Sequence, residues 1–319
     1  VAARLADQGG PELRFYATGA DAGAVYRQAI GDGAAAVIGP LQKPEVAALA
    51  TAPLPRPTLA LNNPEPATGQ VNLYRLSLDP ADEANAGAAW LTAAGYRDVA
   101  LLFVDDAWGR RQRDLYAAAM QAQGGHVSVT APFDAGNTDF SATLRRLFAA
   151  RLSAGEAPAP TTASAPGPQA LIVVASATDA RQIVPQLGYV GVFGLPVLTT
   201  SQVWTGQPGP PGDTDLDNVV FCDSPWVLGG GQSGAATAMT AARGAWPALG
   251  QDASRLVALG ADAYAVAARL RLGDTVDALP DGLTGALALD ADGALRRQVL
   301  TCARFAGGSP VLLTPGGAP

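Results

Sequence analysis

The stretch DVALLFVDDAWGRRQRDLYAAAMQAQGGHVSVTAPF, residues 98–133, determines the fold class of this chain. Its first part, residues 98–106, is an apolar run that ends in two carboxylates and predicts a buried strand. Residues 108–123 predict a helix that ends at two glycines, because glycine readily adopts the conformation that closes a helix. The alternating, β-branched run 126–133 predicts a second strand. A strand, a helix and a strand in this order are typical of a parallel sheet covered by helices.

The same alternation of strands and helices continues on both sides of this stretch, and it predicts two α/β lobes. The tail from Gly282 to Leu313 has the pattern of antiparallel strands separated by tight turns. A cleft between two such lobes is the expected site for a ligand or partner. The other predicted strands include 13–17, 34–40, 57–61 and 169–176, and the other helices include 138–153, 178–190 and 235–246.

Composition excludes several classes of protein. The chain has 319 residues, about two domains' worth, and its net charge of −7 argues against a nucleic-acid binder. Its one histidine, His126, and two cysteines are too few for a zinc site of the usual kind, and any histidine-dependent triad would have to use His126. No run is long enough to span a membrane, and no targeting segment is recognisable within these residues. No catalytic residue, metal site or cofactor is therefore expected.

Two groups of candidate ligand residues follow the predicted strands of the first lobe, where α/β sheets bind ligands. Leu41, Gln42 and Lys43 follow the strand 34–40, and the sole lysine is suited to bind an anion. The alternative is a solvated lysine at the start of a helix that contains Pro44. Asn62 and Asn63 follow the next strand, and their amides either face the cleft or form a turn.

The second lobe contributes two further groups of candidates. Asp106 and Trp108 follow the strand 98–106, where Asp106 is suited to cap the next helix and Trp108 to pack at a cleft rim. Adjacent strand residues point to opposite faces, so Asp105 and Asp106 are not expected to converge on one atom. Ser176 and Thr178 stand at another strand end, where either hydroxyl caps a helix or binds a ligand.

Several motifs resemble a known family. The element order resembles the type I periplasmic-binding-protein fold, in which two Rossmann-like lobes are joined by crossover hinges. The motifs GPL-x-K (39–43), SLDP-x-DEA (77–84), W-G-R (108–110) and D-x-P-W (223–226) together resemble the penicillin-binding protein activator family, the LppC or LpoA lipoproteins.

This resemblance implies a domain organisation. The first lobe would comprise residues 1–76 and 227–280, without its first strand, and the second lobe residues 77–226 and 281–319. Residues 157–169, rich in Pro, Ala, Thr and Ser, are expected to form a flexible insertion.

The resemblance also implies a function. A non-catalytic periplasmic domain would bind and activate a bifunctional class A penicillin-binding protein, which is a peptidoglycan synthase. It would be held at the outer membrane by an N-terminal lipid outside these residues, and it would bind no nucleic acid. The alternative is a solute-binding protein of an ABC transporter, with an amino acid, an amide or another small polar ligand.

The resemblance also bears on the two cysteines. Cys222 and Cys302 both lie in predicted strands, and the fold places both strands in the second lobe. An even number of cysteines in a periplasmic protein favours a disulfide between them, and the alternative is two buried free thiols.

Overall fold

A computed structural model describes residues 11–18, 21–64, 70–154, 167–206, 213–229, 244, 251–274 and 276–314. The chain divides into two compact units, of which the first comprises Val1–Asp79 and Ser224–Leu300. The second comprises Pro80–Asp223 and Thr301–Pro319. The chain therefore passes between the units after Asp79, after Asp223 and after Leu300.

The first unit contains, in its described residues, a six-stranded sheet of order β1-β2-β3-β11-β10-β9. Strands β1, β2, β3 and β11 are parallel, whereas β9, β10 and β11 pair in antiparallel fashion. The strands are β1 (Val37–Ile38), β2 (Thr58–Ala60), β3 (Leu73–Leu76), β9 (Ala278–Leu279), β10 (Ala286–Leu289) and β11 (Ala294–Val299), and the helices are α1 (Ala22–Gly31), α2 (Lys43–Leu49) and α8 (Gln251–Leu270).

Helices cover both faces of this first sheet because its strands present apolar side chains alternately to each side. Leu59 of β2 packs in a cluster with Leu259 and Val266 of α8. Its neighbour Ala60 belongs instead to a cluster with Tyr26 of α1 and Val46 of α2. The core of the first unit thus consists of two apolar layers, one on each side of the sheet.

The second unit contains, in its described residues, a seven-stranded sheet of order β13-β12-β8-β7-β6-β4-β5. The strands from β8 to β5 are parallel, and the hairpin β12–β13 adds two antiparallel strands at one edge. The strands are β4 (Asp98–Val104), β5 (His126–Phe133), β6 (Ala170–Val174), β7 (Val197–Thr199), β8 (Val219–Asp223), β12 (Thr301–Ala306) and β13 (Ser309–Leu312), and the helices are α3 (Pro80–Ala93), α4 (Ala107–Ala122), α5 (Ser141–Leu147), α6 (Ala149–Ser153) and α7 (Ala177–Tyr189).

The core of the second unit is built around β4. Leu101 and Phe103 pack against Tyr116 and Met120 of α4, and all four are almost completely buried. The alternate residue Leu102 is also fully buried, so that β4 is covered on both faces. This burial explains why the strand is apolar along nearly its whole length rather than alternating.

The predicted α/β class with two helix-covered sheets is confirmed. The predicted boundaries differ, because residues 281–300 belong to the first unit rather than to the second lobe, as do residues 77–79 and 224–226. For residues 281–300 the reason is strand pairing: β11 pairs with β3 in parallel, and β10 pairs with β11.

Three further predictions concern single elements. The helix predicted at 138–153 is two helices, because Phe148 leaves the helical conformation between α5 and α6. The strand predicted at 13–17 is absent from the described residues 11–18. The insertion 157–169 lies outside the described residues except for its last three, and the helix 235–246 lies outside them except for Gly244.

Candidate functional site

The first group of candidate residues lies at the carboxyl ends of β1, β2, β3 and β11, which we call the first edge. Leu41 follows β1, Asn62 and Asn63 follow β2, and Asp79 follows β3. Because these strands are parallel, the structure brings the predicted residues of the first unit to one side of its sheet.

The two asparagines are held by hydrogen bonds within the protein. The Asn62 side-chain amide donates to the Leu41 carbonyl oxygen at 3.0 Å, while its Oδ1 accepts from the Asn63 backbone N–H at 2.9 Å. The Asn63 amide donates to the Ser77 hydroxyl at 3.0 Å and to Asp79 Oδ2 at 3.1 Å. Both side chains therefore connect neighbouring strand ends.

Asp79 is the centre of a network that sequence reasoning missed. Arg296 Nη1 lies 2.9 Å from Asp79 Oδ2, and its Nε lies 3.1 Å from Asp290 Oδ2. The Arg297 guanidinium donates to the Asp79 carbonyl oxygen at 2.7 Å. Asp79 and Arg296 are 217 positions apart, so that no local pattern connects them.

Asp290 anchors the other end of this network. Its carboxylate accepts the backbone N–H groups of Asp292 at 2.9 Å and Ala294 at 2.8 Å. Burial alone would raise the pKa of Asp290, but these hydrogen bonds and the Arg296 guanidinium lower it below its ordinary value. Asp290 thus orders the turn that leads into β11 and also holds the arginine that reaches Asp79.

Gln42 and Lys43 lie at the start of α2 and are exposed. Gln42 occupies the N-cap position in an extended conformation, and its side chain makes no capping hydrogen bond. A proline in the first turn is compatible with the helix start because its missing N–H would have no partner there. This geometry agrees with the lysine marking a helix start.

The second group of candidates lies at the carboxyl ends of β4, β6 and β7, which we call the second edge. The Asp106 carboxylate caps α4 by accepting the Gly109 backbone N–H at 2.7 Å. A Cβ at Gly109 would lie 1.9 Å from the Val104 carbonyl oxygen, so the helix can approach the strand end only with glycine there. Asp105 forms an ion pair with Arg110, and Trp108 packs against the buried core. Asp105 and Asp106 therefore serve separate partners.

Ser176 caps α7 in the same manner. Its hydroxyl accepts the Asp179 backbone N–H at 3.1 Å and donates to Asp179 Oδ2 at 2.7 Å. This reciprocal pair resembles a capping box, with aspartate in place of glutamate. Thr178, the second residue of the helix, is exposed.

A hydrogen-bonded group around the partly buried carboxylate of Glu83, at the second edge, was also missed by sequence reasoning. Glu83 of α3 accepts the Ser201 backbone N–H at 2.6 Å and its hydroxyl at 2.8 Å. The Tyr116 hydroxyl, which is fully buried, also hydrogen bonds to Glu83. Burial first, and then the Glu83 carboxylate, raises the pKa of Tyr116 well above its ordinary value. The only sequence signal is an acidic residue in the first turn of a helix, which is common.

The remaining candidates are the cysteines and the histidine. Cys222 and Cys302 are disulfide-bonded, as the sequence analysis proposed, and they face each other in the paired strands β8 and β12. His126 Nε2 lies 3.7 Å from Asp98 Oδ1, and both residues begin strands, at the end of the sheet opposite the second edge. The histidine is therefore not placed beside the hydroxyls at the second edge.

The described residues contain neither a metal-binding group nor a membrane-spanning helix. Among them, no three His, Cys, Asp or Glu side chains come close enough to hold a metal ion. No helix in the described part of the chain has the length and apolar character needed to cross a membrane.

The polar side chains at both edges thus serve mainly to connect or cap elements of the fold. The two units, each with a helix-covered and largely parallel sheet, define the class of the type I periplasmic-binding-like proteins, and comparison with solved structures bears this out. The C-domain of LpoA from Haemophilus influenzae, described as a regulator of PBP1A, matches with a TM-score of 0.70 and 20% identity, over 92% of this chain and 86% of that one. A Chromobacterium violaceum structure described as a "putative branched-chain amino acid ABC transporter" matches with a TM-score of 0.74 and 27% identity, over 95% of this chain and 91% of that one.

The chain belongs to the LppC family, because the family model described as "LppC putative lipoprotein" matches residues 1–308. A relative from Yersinia pseudotuberculosis, named penicillin-binding protein activator LpoA, is 27% identical over 86% of this chain and 46% of its own length. The relative of the same name from Escherichia coli is 23% identical over 90% of this chain and 45% of its own length. The chain therefore spans about half the length of the curated relatives it matches.

Proposed function

We propose that this chain is the domain of a periplasmic activator that binds a bifunctional class A penicillin-binding protein and raises its rate of peptidoglycan synthesis. The observation that carries the proposal is membership of the LppC family over residues 1–308, together with relatives named as activators of a penicillin-binding protein. Those names also support a role as a regulator rather than a catalyst. Outer-membrane attachment through a lipid is part of the same proposal.

The side-chain chemistry of the two edges is compatible with a role that involves no chemical step. The candidate polar groups are already bonded within the protein: Asn63 to Asp79, Asp106 to the first turn of α4, and Ser176 to Asp179. Catalysis by acid and base needs a nucleophile or proton carrier within reach of a partner that activates it. At the second edge the hydroxyl–carboxylate pairs Ser176–Asp179 and Ser201–Glu83 join elements of the fold, and the two cysteines are bonded to each other.

The activation mechanism we propose is differential binding to two states of the synthase. A partner that binds the active conformation more tightly than the inactive one increases its population by that ratio of affinities. The activator then needs only a surface that is complementary to the active conformation of the synthase.

Reconstituted synthesis tests this proposal. The mature full-length protein is added to the solubilised class A synthase of the same organism, with a lipid-linked peptidoglycan precursor as substrate. We expect faster glycan polymerisation or crosslinking, and direct binding in a sedimentation or surface-based assay. Unchanged rates together with no binding would refute the proposal.

A solute-binding role is the second candidate, because the Chromobacterium violaceum structure matches this chain over 95% of its length. A thermal-shift screen against amino acids and amides distinguishes the two roles. A solute at about 100 times its Kd stabilises the folded protein by about 2.7 kcal/mol. A clear shift with such a solute, and none with the synthase, would favour transport.

A further inference from the structure

Two neighbouring segments of the second unit carry a net positive charge, whereas the chain as a whole is acidic. The whole chain has 28 acidic residues against 21 Lys and Arg. Residues 140–154 and residues 180–206, however, contain several arginines and no aspartate or glutamate. They form α5, α6, most of α7 and the loop that follows α7.

The fold holds these two segments side by side. At one end, Gln186 of α7 accepts the Phe140 backbone N–H at 2.8 Å and donates to the Thr138 carbonyl oxygen at 2.9 Å. At the other end, Arg151 of α6 donates to the Phe193 carbonyl oxygen at 3.3 Å. The residues between these ties are therefore brought to one surface of the second unit.

That surface combines two arginines with two aromatic side chains, and we call it the basic–aromatic face. Tyr189, the last residue of α7, is 76% exposed, and Phe193 is 59% exposed. Arg145 and Arg146 of α5 are exposed, and neither forms an ion pair within the described residues. Contiguous exposed apolar surface marks interaction sites more often than single exposed side chains do, and interface cores are enriched in aromatic residues and arginine.

The carboxylate that the structure places near Arg145 already has a partner. Asp139 lies near Arg145, but its carboxylate already caps the first turn of α5 by accepting the Ser141 N–H at 2.9 Å. Arg151 adds a buried positive charge behind the face, and burial lowers the pKa of its guanidinium. The Phe193 ring packs over α7, 3.6 Å from where a Cβ of Gly188 would lie, so it is held before any partner binds.

We propose that the basic–aromatic face is the surface on which the synthase docks. Carboxylates of the synthase pair with Arg145 and Arg146, and an apolar pocket of the synthase receives Tyr189 and Phe193. This inference rests on the proposed function. A protein partner fits better than an anionic membrane or a nucleic acid, because those are bound by clusters of four or more basic residues or by long basic stripes. Two arginines beside two aromatic rings are the composition of a protein hot spot.

Two double variants of the mature full-length protein test the proposal. Arg145→Glu with Arg146→Glu reverses the charge, and Tyr189→Ala with Phe193→Ala removes the rings. The controls are Arg111→Glu on the exposed side of α4, which reverses one exposed charge, and Val311→Ala with Leu312→Ala on β13, which removes two exposed apolar side chains. We expect each face variant to bind the synthase at least 10-fold more weakly and to lose stimulation, with unchanged Tm, while the controls behave as wild type.

The salt dependence of binding gives a second readout. Wild-type affinity should fall between 50 and 300 mM NaCl, and the charge-reversed variant should lose that dependence, because only exposed charges are screened this way. Wild-type affinity in both face variants would overturn the docking site and leave the activator function intact. Failure of the wild type to bind would overturn both. Loss of binding to anionic vesicles but not to the synthase would also overturn the docking site, in favour of a membrane.

Discussion

A central strand of the second unit and an edge strand of the first unit differ in how deeply they are buried. In the second unit, β4 lies between β5 and β6, and six of its seven residues are buried. In the first unit, β1 pairs only with β2 among the described residues, and its Ile38 is 38% exposed. Both strands have the apolar sequence of a parallel sheet. An apolar strand sequence is therefore typical of a buried strand, but the degree of burial depends on whether strands pair with it on both sides.

Each edge includes one kind of contact that the other lacks among those described above: helix caps at the second edge and a long-range ion pair at the first. The second edge uses local caps, such as Asp106 with Gly109 and Ser176 with Asp179. The first edge uses the long-range pair of Asp79 and Arg296. Caps depend on short hydrogen bonds, whereas a partly exposed ion pair is weakened by salt. The two edges should therefore respond differently to mutation and to ionic strength.

The largest effect is expected from the disulfide, which is found only in the second unit. Replacing both Cys222 and Cys302 by alanine should lower the free energy of unfolding by about 4 kcal/mol, because the bond closes a long loop in the unfolded chain. Hydrogen exchange followed by mass spectrometry should show loss of protection in β4 and β6. Reducing the wild-type protein should reproduce the change, and full protection in the reduced protein would contradict the prediction.

The first unit has its own buried anchor in Asp262 of α8. Its carboxylate accepts the N–H groups of Leu283 and Thr284 and the Thr284 hydroxyl at 2.6–2.8 Å, and burial raises its pKa against these bonds. Asp262→Ala should destabilise the first unit by about 3 kcal/mol, since buried donors lose their acceptor. The exposed Asp274→Ala is the control for chemical denaturation, and equal effects of both would contradict the role of Asp262.

Alkaline pH should affect the second unit through Tyr116. Unfolded tyrosine loses its proton near pH 10, whereas folded Tyr116 keeps it to higher pH because burial raises its pKa. The contribution of Tyr116 to the free energy of unfolding is present below pH 10. It decreases above pH 10, because the unfolded state then binds fewer protons than the folded state. The slope is at most about 1.4 kcal/mol per pH unit. Denaturation at pH 9–11 should show a smaller slope for Tyr116→Phe, and identical slopes would contradict this assignment.

A cap of the second edge should have a smaller effect. Ser176→Ala should lower stability by about 1 kcal/mol, because the Asp179 N–H loses its acceptor. Thr178→Ala, in the first turn of the same helix, is the matched control and should change little. A thermal melt of both variants measures the difference, which should persist in high salt. Equal melting temperatures of the two variants would show that Ser176 does not stabilise α7 as a cap.

The smallest effect is expected at the first edge. Arg296→Gln removes two partly exposed ion pairs, with Asp79 and with Asp290, and should cost about 0.5 kcal/mol at low ionic strength. Unlike the cap, this difference should shrink in 1 M NaCl, as measured by urea denaturation, because salt screens the pairs. Arg271→Gln, at an exposed position after α8, is the control. A difference that is independent of salt would mean that the edges are held by the same kind of contact.

Local patterns were sufficient to predict much of the fold. The apolar run of β4, the helical pattern of α4, and the cap residues Asp106 and Ser176 are visible within a few positions of sequence. The strand β11 was placed in the wrong unit because its pattern shows only that it is a strand, while its partner β3 lies far away in the chain. The contact of Glu83 with Ser201, 118 positions apart, was missed for the same reason.

The position of the disulfide has a consequence for proteolysis. Cys222 and Cys302 lie beside two of the passages between units, so the bond joins the two ends of the excursion Ser224–Leu300 that the chain makes into the first unit. A protease that cuts once within this excursion yields two fragments that remain covalently linked. They migrate separately in a denaturing gel only after a reductant is added, and an oxidising compartment therefore keeps a nicked molecule in one piece.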